Sequence, residues 1–193
     1  MQQEKNDLIS DNMAFLRLLS KQFPNIQSVC TEIINLKAIL DLPKGTEHFI
    51  SDLHGEYEAV AHILNNASGV IRDKIDELYN ESCSDEERSK LATLIYYPQH
   101  KLELLKAEHQ SDLDEWYHDT LVKLIDICRV VASKYTRSKV RKALPVDFAY
   151  IIDELLHADH YEKNKENYYG RIFSTIVDVG RADAFIVALS SLI

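Results

Sequence analysis

Most of this 193-residue chain shows the apolar spacing of helices, and a single segment, residues 47–53, has the character of a strand. Five glycines and four prolines leave few turns, as expected of a mainly helical protein. A lone strand leaves its backbone donors and acceptors without partners. The segment therefore pairs with something outside this chain, or it is not a strand here. We expect a mainly α fold with at most this one strand.

Eight or nine helices are predicted from apolar spacing and from helix start and stop signals. Ser84 followed by Glu87 forms a capping box that predicts the start of one helix, and Pro98 is expected to end it. Ser111 is expected to begin the longest helix. The candidate segments are residues 6–20, 24–43, 56–66, 69–79, 84–97, 111–131, 145–156, 166–178 and 182–193.

Composition excludes some classes of partner. A net charge of -9 argues against non-specific binding to nucleic acid or to an anionic membrane. The longest apolar run, residues 184–189, is too short to span a bilayer, and the polar N-terminus has no signal-peptide core. Cys30, Cys83 and Cys128 lie far apart and form no Cys-x-x-Cys motif, which favours a reducing compartment. We expect a cytoplasmic protein.

The tetrapeptide Asp52-Leu53-His54-Gly55 follows an apolar run. Asp52 and His54, two apart on an extended strand, point to the same face, so a carboxylate oxygen and an imidazole nitrogen can reach one metal ion. Gly55 permits a tight turn from the strand into a helix. This arrangement is typical of the start of a binuclear metallophosphatase site. Taken alone, however, the tetrapeptide is better explained as a strand end with a solvated aspartate.

Three longer passages give the motif a context. In order along the chain they are residues 44–57 with 68–71, residues 93–98, and residues 135–145 with 147–152. All three resemble the class III fructose-1,6-bisphosphatases of bacteria, and the resemblance runs nearly end to end. It implies hydrolysis of fructose 1,6-bisphosphate to fructose 6-phosphate and phosphate in gluconeogenesis. It also implies a binuclear divalent metal site, typically manganese, in a calcineurin-like α/β core, with Asp52 and His54 as ligands of one metal.

The later motifs of that family, Gly-Asp-x-x-Asp-Arg-Gly and Gly-Asn-His, do not occur in this sequence, which has no Gly-Asp or Gly-Asn pair. The resemblance therefore implies an N-terminal fragment that is inactive alone and whose site is completed by the rest of its own polypeptide. Residues 1–68 would hold the N-terminal helices and the first core strand and helix. Residues 69–193 would be a helical insertion that leads towards the second core strand. Further catalytic residues stay unassigned.

Two Glu-x-x-His pairs, Glu115 with His118 and Glu154 with His157, offer an alternative. In helical di-iron bundles such pairs project into the core. Here, helical spacing turns both pairs away from the apolar faces, which favours a solvated surface. A non-catalytic interaction bundle belongs to the same alternative. His62, just after the motif, is a weaker candidate for a place near the metal, as is His48 before it.

Residues 134–142 contain five basic residues and no acidic one. Arg137, Arg141 and Lys142 are the candidates to bind a phosphate of the sugar bisphosphate or of an anionic effector. A solvated basic face that aids solubility is the competing interpretation. The sequence also allows a homo-oligomer.

Overall fold

A computed structural model describes residues 2–44, 47, 49–66, 69–158 and 165–193, with side chains from residue 12 onward except that of residue 166. Within these residues the chain forms eleven α-helices and no β-strand, which confirms the mainly α class. None of the described helices is both long and apolar enough to cross a membrane. The helices are α1 (Gln2–Gln22), α2 (Ile26–Ile39), α3 (Tyr57–Asn66), α4 (Val70–Tyr79), α5 (Asp85–Tyr96), α6 (Pro98–Glu108), α7 (Leu113–Ala132), α8 (Arg137–Ala143), α9 (Ala149–Leu156), α10 (Glu166–Asp178) and α11 (Ala182–Leu192).

Side chains determine where several helices begin. At the start of α2, the N–H of Ser28 donates to the side-chain oxygen of Asn25 at 2.9 Å. At α5, the backbone N–H and the hydroxyl of Ser84 both donate to the carboxylate of Glu87 at 2.7 Å. The N–H of Glu87 donates back to the Ser84 hydroxyl oxygen at 3.2 Å. This reciprocal capping box confirms the predicted start of α5.

Two of the observed helices, α6 and α8, are not among the sequence predictions. Pro98 occupies the first position of α6, where its missing N–H would have no helical partner in any case. The proline that ends α5 therefore also starts α6. Helix α8 is seven residues long and its only apolar residues are Val140 and Ala143, so it has no apolar periodicity to detect. The hydroxyl oxygen of Thr136 caps it by accepting the N–H of Lys139 at 3.3 Å.

The strand predicted near residues 47–53 is not formed by the described part of that segment. Residues 47 and 49–53 have no strand pairing, and residue 48 lies outside the described residues. Phe49 is 92% exposed, and Ile50 and Leu53 are exposed as well. A strand needs a neighbour for its backbone groups, and no described segment of this chain supplies one. The described part of this segment is therefore not a strand within this chain, which is one of the two outcomes that the sequence left open.

The chain divides into two compact units, Met1–Pro43 and Lys44–Ile193. The first unit contains α1 and α2. Within the described residues, α2 buries no side chain at all, although most of its residues are apolar. The domain boundary predicted at residue 68 concerns a larger protein and stays a prediction.

Helix α7 is the central element of the second unit and packs against α4, α9, α10 and α11. Helix α11 packs in addition against α5 and α6. Leu121 and Leu124 of α7, together with Phe185 and Leu189 of α11, are completely removed from solvent. The apolar faces of these helices therefore form one continuous core.

Asp183, at the start of α11, connects that helix to α6 and α7. Its carboxylate lies 2.7 Å from Nζ of Lys106 and accepts the hydroxyl hydrogen of Tyr117 at 2.5 Å. Burial, followed by the hydrogen bond to Asp183, raises the pKa of Tyr117 to about 12. Hydrogen bonds to Asp183 and Glu103 hold the pKa of Lys106 above its ordinary value. At neutral pH the Asp183 carboxylate therefore accepts a hydrogen bond from the neutral hydroxyl of Tyr117 and pairs with the ammonium group of Lys106.

The single tryptophan of the sequence, Trp116, lies in the first turn of α7. Its ring stacks on that of His109, with centroids 5.5 Å apart, and lies 5.3 Å from the ring of Tyr117. Nδ1 of His109 is 3.0 Å from the carboxylate of Asp112, the N-cap residue of α7. Aromatic packing and this contact together hold the connection between α6 and α7.

Candidate metal centre

The Asp52-Leu53-His54-Gly55 motif forms a tight turn just before α3. His54 and Gly55 both have positive φ angles, 44° and 77°. Glycine adopts such angles readily, and histidine is one of the side chains that tolerate them better than most. The N–H of Glu56 donates to the carbonyl of Leu53 at 2.8 Å and closes the turn. A Cβ built onto Gly55 would meet no atom within 4 Å, so backbone conformation rather than space requires the glycine.

The turn brings the two predicted ligands together. Nε2 of His54 lies 2.7 Å from Oδ2 of Asp52, and the two side chains are 78% and 67% exposed. The sequence predicts this convergence from an extended strand, in which alternate residues share a face. The structure achieves it instead through the left-handed turn at His54 and Gly55.

The 2.7 Å between these two atoms is the length of a direct N–H···O contact, and a metal ion that replaced the proton would need them only slightly further apart. Carboxylate oxygen and imidazole nitrogen bind first-row divalent metals at about 2.0–2.2 Å, so adjacent ligands stand roughly 3 Å apart. Oxygen and nitrogen donors of this kind suit manganese, iron or zinc. The exposure of the pair leaves room for an ion and for further ligands. Asp52 and His54 therefore fit as one side of a metal centre.

Two donors do not complete such a centre, because catalytic metal sites normally keep at least three protein ligands. Among the described residues, no group of three or more His, Cys, Asp and Glu side chains could hold a metal ion. The described part of the chain thus brings together two candidate ligands and no complete centre.

His62, on α3, has a different role from the one considered in the sequence. Its Nδ1 hydrogen-bonds the hydroxyl of Tyr97, and its Nε2 lies 3.0 Å from Nδ2 of Asn66. The His62 and Tyr97 rings are stacked, with centroids 6.0 Å apart. Both ring nitrogens are therefore engaged, and the contact with Tyr97 joins α3 to the end of α5. The i, i+4 spacing of His62 and Asn66 was visible in the sequence, but nothing there indicated the contact with Tyr97, 35 residues away.

The Glu-x-x-His pairs do not form a di-iron site in the described residues. Glu115 and His118 are exposed, and His118 makes an edge contact with the ring of Phe173 at 5.6 Å. Nδ1 of His157 hydrogen-bonds the carbonyl of Asp153 at 2.7 Å, one turn back along α9. Glu115, His118 and His157 thus lie on solvated faces, as helical spacing predicted, whereas Glu154 is half-buried. The neighbouring Asp159 and His160 lie outside the described residues.

The basic segment is only partly available to an anion. Arg141 pairs with Asp153 of α9, with Nε and Nη2 at 3.1 and 3.0 Å from Oδ2. Arg137 and Lys142 lie at the two ends of α8 and are exposed. One of the three candidate residues thus has an intramolecular carboxylate partner, which the sequence did not indicate.

Comparison with known proteins identifies the context of these two candidate ligands. The family model described as Firmicute fructose-1,6-bisphosphatase matches residues 14–193. No solved structure matches the chain significantly.

Named relatives agree with that family. The chain is 59% identical over 187 residues to the fructose-1,6-bisphosphatase class 3 of Clostridium novyi (strain NT) and 57% identical over 187 residues to that of Clostridium tetani (strain Massachusetts / E88). It is 56% identical over 186 residues to that of Clostridium botulinum (strain Loch Maree / Type A3). These matches cover 96–97% of this chain and 28% of the length of each relative. The chain belongs to the Firmicute fructose-1,6-bisphosphatase family.

Proposed function

We propose that these 193 residues form part of a metal-dependent sugar-phosphate phosphatase. The reaction is the hydrolysis of fructose 1,6-bisphosphate to fructose 6-phosphate and phosphate, and it serves gluconeogenesis in the cytoplasm. Support comes from the family match over residues 14–193 and from the names of relatives at 56–59% identity. Three widely spaced free cysteines agree with a reducing compartment.

The observation that carries the proposal is the contact between Asp52 and His54. A carboxylate oxygen and an imidazole nitrogen meet at 2.7 Å on an exposed turn, ready to bind one divalent ion, for which we propose manganese. Residues outside this chain supply the remaining ligands. A bound metal pair supplies charge neutralisation at the phosphate and a water of lowered pKa.

The residues of this chain have two tasks in that site. The Asp52 carboxylate and the neutral His54 imidazole bind the ion, and the turn at Gly55 holds both side chains on one side of the backbone. Helix α3 starts at Tyr57, so it anchors the turn directly after the motif. The short connection limits how far the two ligands can move apart, and this preorganisation favours metal binding.

The test uses the full-length protein with Asp52→Asn and His54→Ala. Each variant loses one ligand, so we expect at least tenfold loss of bound manganese and of phosphate release, with an unchanged circular dichroism spectrum. Metal content is measured on the purified protein by elemental mass spectrometry. Asp147→Asn and His100→Ala remove the same side-chain types at exposed positions and should change neither quantity. Normal metal content and normal rate in both ligand variants would refute the assignment.

We also propose that Arg137 and Lys142 bind an anionic group of substrate or effector in the complete protein, with a smaller contribution from Arg141. Reversal of the charge in Arg137→Glu or Lys142→Glu should raise KM or weaken the response to an anionic effector, at unchanged metal content. Arg141→Glu should in addition lower the melting temperature, because it places a carboxylate against Asp153. The control is Arg171→Glu, an exposed arginine on α10. Normal kinetics and effector response in all three variants would identify the segment as solvated surface.

A further inference from the structure

Helix α2 presents a regular apolar seam. Five aliphatic residues follow one another at alternating spacings of three and four, so they lie on one face of the helix. They run from the first residue of α2 to its C-cap: Ile26, Val29, Ile33, Leu36 and Leu40. All five are exposed, by 40% at Val29 up to 83% at Leu40. A continuous apolar face of this kind is unusual on a protein surface and marks a contact region.

The other sides of α2 are also poor in charge. Ile34 and Ile39 lie on opposite flanks of the seam and are exposed too. Glu32 and Lys37 are the only charged residues among the fourteen of the helix. Helical spacing places Glu32 and Lys37 beside the seam and Gln27, Thr31 and Asn35 behind it, so α2 is amphipathic and the seam is its apolar face.

We propose that α2 is buried against the part of its own polypeptide that lies outside these 193 residues. The chain spans 28% of the length of its curated relatives, so the complete protein has ample additional chain to provide the covering surface. The proposed contact is apolar and is formed by the seam, with Glu32 and Ile39 along one edge and Lys37 along the other.

A second copy of the chain fits this surface less well than a partner within the same polypeptide does. Fourteen residues make a helix of about 21 Å, and helices this short are marginal when they have only one partner helix. Five aliphatic side chains at roughly 100 Å² each cover about 500 Å² per partner, short of the ~800 Å² typical of stable complexes. A two-helix seam would also leave Ile39 in water. An enclosing partner within the same polypeptide covers the seam and Ile39.

Hydrogen exchange of the full-length protein and of the 193-residue polypeptide tests the proposal. We expect the amides of residues 26–39 to exchange at least tenfold more slowly in the full-length protein. Amides of α7 provide the reference, since this central helix should be slow in both proteins. Cys30, exposed on the edge of the seam, gives a second readout. Its labelling by a maleimide, followed by peptide mass spectrometry, should be at least tenfold slower in the full-length protein.

Matched variants of the full-length protein locate the contact on the seam. Ile33→Lys places a charge at the centre of the seam and should speed exchange of α2 at least tenfold. Asn35→Lys places the same charge on the opposite side of the helix and should change exchange less than twofold. Ile33→Ala, a milder change, should give an intermediate effect and remains informative if the lysine variant fails to fold.

Two outcomes would overturn the proposal. One is equal exchange of α2 in the two proteins. The other is protection of α2 in the 193-residue polypeptide that grows with protein concentration, which would identify a second copy as the partner. Neither measurement depends on phosphatase activity, so the result is independent of the proposed function.

Discussion

Asp183 contacts two other helices with a single carboxylate, through Lys106 of α6 and Tyr117 of α7. In Asp183→Asn the amide can still accept the tyrosine hydroxyl but no longer neutralises the ammonium group. We expect a loss of about 1–2 kcal/mol in the free energy of unfolding, since Asp183 keeps 42% exposure and solvent screens part of the charge. Urea denaturation of the parent and of Asp183→Asn measures this loss of stability.

The control for this variant is Glu103→Gln. Glu103 contacts the same Lys106 at 3.2 Å but is 72% exposed, so its removal should change the unfolding free energy by less than ~0.5 kcal/mol. Equal losses in the two variants would show that the ion pair between Lys106 and Asp183 contributes no more than the exposed pair between Lys106 and Glu103.

At the residue scale, sequence spacing identified the two candidate metal ligands without showing how they meet. Asp52 and His54 are near neighbours, so any compact local geometry brings them together. The Arg141–Asp153 pair joins residues twelve apart on different helices and depends on how α8 and α9 pack. Contacts of that kind follow from tertiary structure and leave no pattern in the sequence.

At the scale of single helices, the start of α5 depends on one hydroxyl. Ser84→Ala removes the oxygen that accepts the N–H of Glu87, and loss of an N-cap typically costs about 1 kcal/mol of stability. Thermal or urea unfolding at neutral pH measures the change. Ser82→Ala, in the exposed turn just before this cap, should stay within ~0.5 kcal/mol of the parent. A similar loss at both positions would mean that the cap is not what stabilises α5.

The same cap should make the free energy of unfolding depend on pH in the acidic range. Hydrogen bonds from the Ser84 side chain and backbone lower the pKa of Glu87 below its ordinary value of 4.5. The unfolded chain therefore binds the proton more readily, so this contribution is present above about pH 4.5 and is lost as pH falls through the folded pKa. The stability difference between the parent and Ser84→Ala should shrink from about pH 6 to about pH 3.5. A difference that is constant across this range would contradict the prediction.

The helices that the sequence predicted are those with an apolar face or a capping signature. Leu121 and Leu124 mark the buried side of α7, and Ser84 marks the start of α5. Helix α8 was missed because it is short and has only two apolar residues, and α6 because Pro98 indicated an end rather than a beginning. The segment at residues 47–53 has the character of a strand, but a strand also requires a partner, and the propensity of a segment does not show whether a partner is present.

At the scale of the whole molecule, a site with two candidate ligands implies that the 193-residue polypeptide is inactive by itself. Asp52 and His54 provide two ligands, and the sequence contains neither Gly-Asp nor Gly-Asn. We expect no hydrolysis of fructose 1,6-bisphosphate above background with manganese, magnesium or zinc, because two ligands do not hold a catalytic metal pair. The release of inorganic phosphate measures this hydrolysis.

The control is the full-length protein in the same assay, together with circular dichroism to show that the shorter polypeptide is folded. Turnover by the 193-residue polypeptide that disappears in its Asp52→Asn variant would show that the two ligands are sufficient.

The position of Trp116 determines what can be seen when the molecule unfolds. It is the only tryptophan, it lies in the second unit, and residues 1–43 contain neither tryptophan nor tyrosine. Its indole emission, set by the neighbouring His109 and Tyr117 rings, therefore follows the second unit alone, whereas far-ultraviolet circular dichroism follows the helices of both units. Coincident transitions mean that the units unfold cooperatively, and separate transitions mean that they do not. The intrinsic fluorescence of Trp116 thus distinguishes the unfolding of the two units without any added dye.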